Sequence, residues 1–276
     1  MSAADQEESS PLEISLSRVV AAVTDLDGVV GISLGGSISM GLADEASDLD
    51  LYVYWRESLA AAADRHERLS RIADVENIEV DIRMWGLEDH LQSGDRSVEL
   101  IYVDLDDLQA EVERAYGEGI CGEGFVTARF AYLVYGHILY DPTGELSELQ
   151  ARLLNAYPEP TRRLLLQDNP KRLRIYLDHL NLALARGDLL AVQQRRYTIQ
   201  MVFFNLLFAL NRRYHPGEKR LLAHSKQCPS RPYECVARWE HSTRLVAADF
   251  ALAESLSTLV EELCDLAAQD SSSEAS

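Results

Sequence analysis

The chain has 276 residues, 47% hydrophobic and 26% charged, an ordinary globular composition long enough for one large domain or two small ones. A net charge of −19 excludes a general nucleic-acid-coating protein, and four scattered cysteines exclude a disulfide framework. The acidic start MSAADQEESS is no signal peptide, and the longest apolar stretch, Met201 to Leu210, is too short to span a bilayer.

A cytoplasmic protein with no membrane partner is therefore expected. Residues 1–10 and 270–276 read as disordered tails. Leu12, Leu16, Val19, Val20 and Val23 recur at helical spacing and predict a helix from Pro11 to about Thr24. Val29 to Leu34 predicts a strand ending at Gly35-Gly36. Asp48 to Trp55 alternates as a second strand, and a charged helix is expected over roughly 57–74. Ile78 to Trp85 predicts a third strand and Val98 to Val103 a fourth, followed by a helix through Tyr116. The glycines at 117, 119, 122 and 124 mark a loop, then come a helix over about 125–135 and a strand at 138–140. Beyond the Asp141-Pro142-Thr143-Gly144 turn the pattern is helical, with helices expected over 172–186, 193–213 and 233–268. The fold class is α+β, with a strand-and-helix domain over 11–142 and an all-helical bundle over 143–269.

Charge divides the same way. Residues 1–117 carry 8 Lys/Arg against 26 Asp/Glu, a balance of −18, whereas residues 162–226 carry 13 against 4, a balance of +9. Such a split suits an anion bound by both parts, or solvated helix faces. His224, Cys228, Cys235 and His241 match no common zinc spacing and include no CxxC pair, so the cysteines read as buried or idle.

The chemistry concentrates in residues 35–51. Residues i and i+2 of a strand share a face, so Asp48 and Asp50 project together while Leu49 and Leu51 anchor the other side. Two adjacent carboxylates repel unless a cation neutralises them, and Mg²⁺ is the hard ion that prefers carboxylate and phosphate oxygen. A third strand pairing beside the second would add Asp81, with Glu79 as a fallback ligand and Arg83 either touching phosphate or balancing Asp81. Gly35 and Gly36 let backbone N–H groups approach an anion without Cβ interference, and Ser37 adds a hydroxyl donor. The segment is neither a P-loop nor a dinucleotide fingerprint, because the Lys-Ser/Thr pair and the third glycine spacing are missing.

With these residues in this order, GGSISMGLADEASDLDLYVYW resembles the signature of the DNA polymerase β-like nucleotidyltransferase superfamily. The ending Ser-Asp-Leu-Asp-Leu is closest to its small-molecule branch, which includes aminoglycoside adenylyltransferases. The likeness covers residues 29–85, and NRRYHPGEKRLL resembles the helical part of bacterial two-domain members of that branch. It implies a mixed sheet flanked by helices, with Gly36 and Ser37 as the phosphate-contacting pair, Asp48 and Asp50 as metal ligands and Asp81 as the third carboxylate. Met40 departs from the pattern, since many relatives carry Arg or Lys there. The missing phosphate contact is expected from the basic segment, first from Lys219, then from Arg195, Arg196 and Arg212.

The function expected from the resemblance is transfer of a nucleoside monophosphate from ATP to a hydroxyl of a small acceptor, with one or two Mg²⁺. The bundle would choose the acceptor. Three rivals stand beside it: nucleotidyl transfer to tRNA or protein, a non-catalytic nucleotide-binding or antitoxin-like regulator, and a plain structural or interaction domain with its carboxylates solvated. The balance of −18 on the first part disfavours a nucleic-acid partner.

Overall fold

The computed structural model describes residues 11–41, 47–84, 86–122, 124–245 and 249–274. Two compact units make up the chain, and both are discontinuous: 1–111 with 132–154, and 112–131 with 155–276. The sequence pattern placed its single boundary at 142/143, where the turn signal is strongest. Helix–strand contacts instead hold residues 143–154 in the first unit, while 112–131 go with the helices.

The first unit is built on a six-stranded mixed sheet of order β3-β4-β5-β2-β1-β6. Its elements are α1 (Pro11–Thr24), β1 (Val29–Leu34), α2 (Gly36–Ser39), β2 (Leu49–Trp55), α3 (Ala62–Ser70), β3 (Val75–Ile82), β4 (Leu87–Ser93) and β5 (Arg96–Asp104). The first half of α4 (Leu105–Gly117), the end of α5 (Ala128–Val134), β6 (His137–Tyr140) and α6 (Glu145–Asn155) follow. β2 and β5 run parallel; every other pair is antiparallel. Ile32, Leu51, Val53 and Leu100 are fully buried on one face with Val23 of α1 and Leu69 of α3. Each such side chain contributes about 1.5–3 kcal/mol of burial.

The opposite face of the same strands carries Asp50, Tyr52 and Tyr54. Part of it is covered locally: Tyr132 stacks on Tyr52 with ring centroids 5.0 Å apart. Leu146 of α6 fills the notch at Gly31, where any Cβ would overlap its side chain. Arg56, at the end of β2, ties the unit together. It donates to Glu145 and Gln109 at 2.8 Å each and pairs with Asp106 at 2.8 Å.

Three expectations need correction. The helix expected over 57–74 shrinks to Ala62–Ser70, with Glu57 and Asp74 at positive φ on either side. The strand expected at 78–85 is shifted to Val75–Ile82. Residues 270–274, expected as part of a tail, continue helix α11 (Phe250–Glu274), where Asp270 pairs with the buried Arg162. Residues 1–10 and 275–276, the other parts expected as tails, lie outside the described residues.

The second unit contains α7 (Glu159–Ala185), α8 (Leu189–Leu210), α9 (Leu221–Ser225), α10 (Cys235–Arg244) and α11. α7 and α8 form a hairpin turned at Gly187 (φ +67), and Asp188 caps α8 by accepting from Ala191 N–H at 3.1 Å. Phe203, Phe204, Trp239, Leu256 and Val260 share the core. The glycine loop is stitched to these helices. Asn205, 2% exposed in the middle of α8, accepts from Val126 N–H at 3.2 Å and donates to the Gly124 carbonyl at 2.7 Å. Arg172 donates to Gly122, and Thr161 accepts from Ile120 N–H. Among the described residues no helix is long and apolar enough to cross a membrane.

Candidate active site

β1 runs out at Leu34 and hands the chain to the two glycines. Gly35 N–H donates to the Asp50 carbonyl at 2.8 Å, extending the β1–β2 pairing by one residue. Neither glycine accepts a side chain. A Cβ on Gly35 would lie 2.7 Å from Tyr52 Cδ2, and one on Gly36 would lie 2.6 Å from Asp50 Cγ and overlap its Oδ2. Gly36 also has φ +65, a backbone region that L side chains rarely adopt. The Asp50 carboxylate is thus packed against the backbone of the turn. Ser39 Oγ closes α2 on the Gly36 carbonyl at 3.1 Å, while the Ser37 hydroxyl has no partner among the described residues. Residues 42–46, the rest of the expected signature, lie outside the described residues.

Asp50 is the second residue of β2 and Asp48 lies one residue ahead of the strand, with Leu49 and Leu51 buried. Asp50 is 8% exposed and Asp48 is half-buried. Tyr52, two residues on, stays a neutral phenol. Burial raises its pKa well above the usual value, helped by Tyr132 and then by the charges of Asp50 and Glu99.

Asp81 does not join them. β3 is the edge strand, separated from β2 by β4 and β5. The sequence reading required β3 beside β2, but the strand beside β2 is β5. Asp81 is instead a bulge residue at φ +62, between the paired Glu79 and Ile82. Its N–H donates to Asp89 Oδ1 at 2.9 Å and its carboxylate accepts from Arg83 at 2.9 Å, so Arg83 balances Asp81. Asp89 itself is fully buried, bound by Arg65 at 2.7 and 2.9 Å and by the Tyr102 hydroxyl at 2.8 Å. Desolvation and Asp89 together raise the Tyr102 phenol far above its ordinary pKa, keeping it a donor.

The strand beside β2 supplies a different carboxylate. Glu99 of β5 is in register with Asp50, and directly paired residues on neighbouring strands, about 4.8 Å apart, share a face. The same row continues through His90 of β4 to Glu79 of β3. His90 Nε2 lies 3.1 Å from Glu88 Oε2, and Glu88 is 5% exposed. Sequence reasoning missed Glu99 although the signal was present: it alternates with Val98 and Leu100 in the strand expected at 98–103.

In the second unit Lys219 is exposed in the turn after His215-Pro216-Gly217. Arg196 is half-buried on α8 with no side-chain partner among the described residues, and desolvation lowers its pKa. Arg212 is committed to Glu159 at 2.6 Å. His215 is buried between Phe125 and Phe208, accepts from Gly217 N–H on Nδ1 at 3.1 Å and is held neutral, its pKa lowered to about 3 by burial and then by His224. Cys228 and Cys235 are buried thiols pushed up to about 11 and about 12 by desolvation.

No three His, Cys, Asp or Glu side chains converge as a metal cluster among the described residues. Asp50 in β2 and Asp48 just ahead of it still fit Mg²⁺, which binds through one or two carboxylates with phosphate oxygens completing its shell.

Residues 16–105 match the model of a family described as a nucleotidyltransferase domain. The match supports the nucleotidyltransferase superfamily for this segment. The nucleotidyltransferase-like segment spans α1 through β5 and contains the glycine pair, Asp48, Asp50 and Glu99. Residues 125–221 match a second model, described as a domain of unknown function, DUF4037. No curated protein matches the chain. Among solved structures, a nucleotidyltransferase-like protein from Exiguobacterium sibiricum is similar over 92% of this chain and 73% of its own, at 13% identity and a TM-score of 0.40. That likeness is too loose to align individual residues.

Proposed function

We propose that the protein transfers a nucleoside monophosphate from ATP to a hydroxyl of a small-molecule acceptor, with pyrophosphate leaving. The observation that carries this reading is the seat of Asp50 against Gly36, with Asp48 two residues before it and Glu99 in register on the next strand. Asp48 and Asp50 would hold one or two Mg²⁺, which supply charge neutralisation on the triphosphate and on the oxygens of the transferred and leaving groups. Backbone N–H groups of Gly36 and Ser37, together with the Ser37 hydroxyl, orient phosphate oxygens. Glu99, in the place first expected of Asp81, accepts the proton of the acceptor hydroxyl as its oxygen bonds to the α-phosphorus and the bond to pyrophosphate breaks.

The test supplies purified protein with Mg²⁺, labelled ATP and a panel of hydroxyl-bearing small molecules, and follows pyrophosphate release and label transfer. Release with at least one acceptor is expected. ATP binding without release from any acceptor would point to a non-catalytic regulator, and no ATP binding would remove the reading altogether. An Asp48→Asn/Asp50→Asn double variant that keeps its Mg²⁺-dependent ATP affinity would sink the ligand assignment.

A further inference from the structure

We propose that Arg96 is a positioning residue for Asp48, an inference that rests on the nucleotidyl-transfer reading. Asp48 lies one residue ahead of β2, whose pairing with β5 begins at Leu49 and Val98. Pairing therefore fixes the chain from Leu49 onward, and Asp48 needs support from its other side. Arg96 provides it. Its Nη1 donates to the carbonyl of Ser47 at 3.1 Å, holding the peptide group that leads directly into Asp48.

The support is itself rigid. Arg96 opens β5 immediately after the two-residue Gly94-Asp95 turn, in register with the buried Ser93 of β4. Gly94, at φ +57, is tied by its N–H to the Asp74 carbonyl at 3.1 Å. The half-buried guanidinium forms no ion pair among the described residues. The guanidinium thus binds a neutral carbonyl one peptide from a carboxylate that must sit beside another. A cation there offsets the repulsion between Asp48 and Asp50 before a metal arrives, and its hydrogen bond fixes the direction from which Asp48 enters the strand.

The experiment measures ATP affinity of the full chain with and without Mn²⁺, in wild type, Arg96→Met and Arg96→Lys, with the thermal midpoint of each. Arg96→Met is expected to cut the Mn²⁺-dependent gain in ATP affinity about tenfold, the size typical when a group supporting a metal ligand is removed. Metal-free ATP affinity should stay unchanged. Arg96→Lys should show a smaller loss, because it keeps the charge but not the planar fork. An unchanged gain in Arg96→Met, or equal losses with and without Mn²⁺, would overturn the proposal. Should Arg96→Met fail to fold, an unchanged gain in Arg96→Lys would overturn it as well. If wild type itself shows no Mn²⁺-dependent gain, the nucleotidyl-transfer reading fails instead.

Discussion

The α-carbon of Gly36 faces the carboxylate of Asp50 so closely that no side chain fits between them. This contact links the two halves of the glycine–aspartate motif. Gly36→Ala must both displace Asp50 and hold a positive φ that costs an L residue roughly 1–2 kcal/mol. Loss of Mg²⁺-dependent ATP binding by at least about tenfold is expected, with a lowered thermal midpoint. Calorimetric titration of ATP checks it, and wild-type affinity in the alanine variant would show that Asp50 is not part of the site.

Glu99 and Asp81 give opposite expectations. Glu99→Gln keeps shape and removes the charge in register with Asp50, so turnover should fall about 100-fold, the scale of losing one group that acts on the transition state. Asp81→Asn, on the edge strand and paired with Arg83, should stay near wild type. Pyrophosphate release by the two variants decides between them, and the reverse order of losses would return the third carboxylate to Asp81.

Breaking the Arg65–Asp89 pair should destabilise the first unit. Both side chains are almost wholly buried, and removing one partner of such a pair leaves an uncompensated charge at a cost of about 3–5 kcal/mol. Arg65→Met should therefore lower the urea midpoint sharply. Replacing Arg83 opposite the exposed Asp81 should leave it within about 0.5 kcal/mol.

His215 predicts an acid limb in stability. Its pKa is about 3 in the folded chain and near 6.5 unfolded, so below pH 6.5 the unfolded state binds the extra proton. The stabilisation is present above pH 6.5 and is lost as pH falls toward 3. Between pH 6.5 and 4 the loss is about 3 kcal/mol. His215→Asn, which can still accept from Gly217 N–H, should flatten this limb in urea unfolding curves measured from pH 4 to 7. An unaltered slope would mean that other groups carry it.

Local pattern was enough for α1, β1, β2 and β5, because Val19, Ile32, Leu51 and Leu100 each sit at the period their element demands. It was not enough for β4. Leu87-Glu88-Asp89-His90-Leu91 places Asp89 on the apolar face, and a buried carboxylate there makes sense only once Arg65 and Tyr102 arrive from elsewhere in the chain. Missing β4 cost the site its third carboxylate. With β4 absent, β3 seemed free to pair beside β2, and Asp81 took the place that strand order gives to Glu99. The glycine pair and the two aspartates were legible because their constraint is local. Strand order is a long-range property that alternation does not encode.

The matched segments do not divide where the compact units divide. Residues 125–221 include β6 and α6, which belong to the sheet unit, so one family segment completes the other's fold. A chain carrying residues 16–105 alone would leave β1 with an open hydrogen-bonding edge and an empty notch at Gly31, a template for pairing with other chains. Exchange of either segment between proteins, in the laboratory or by recombination, is therefore constrained to donors whose β6 and α6 still fit β1.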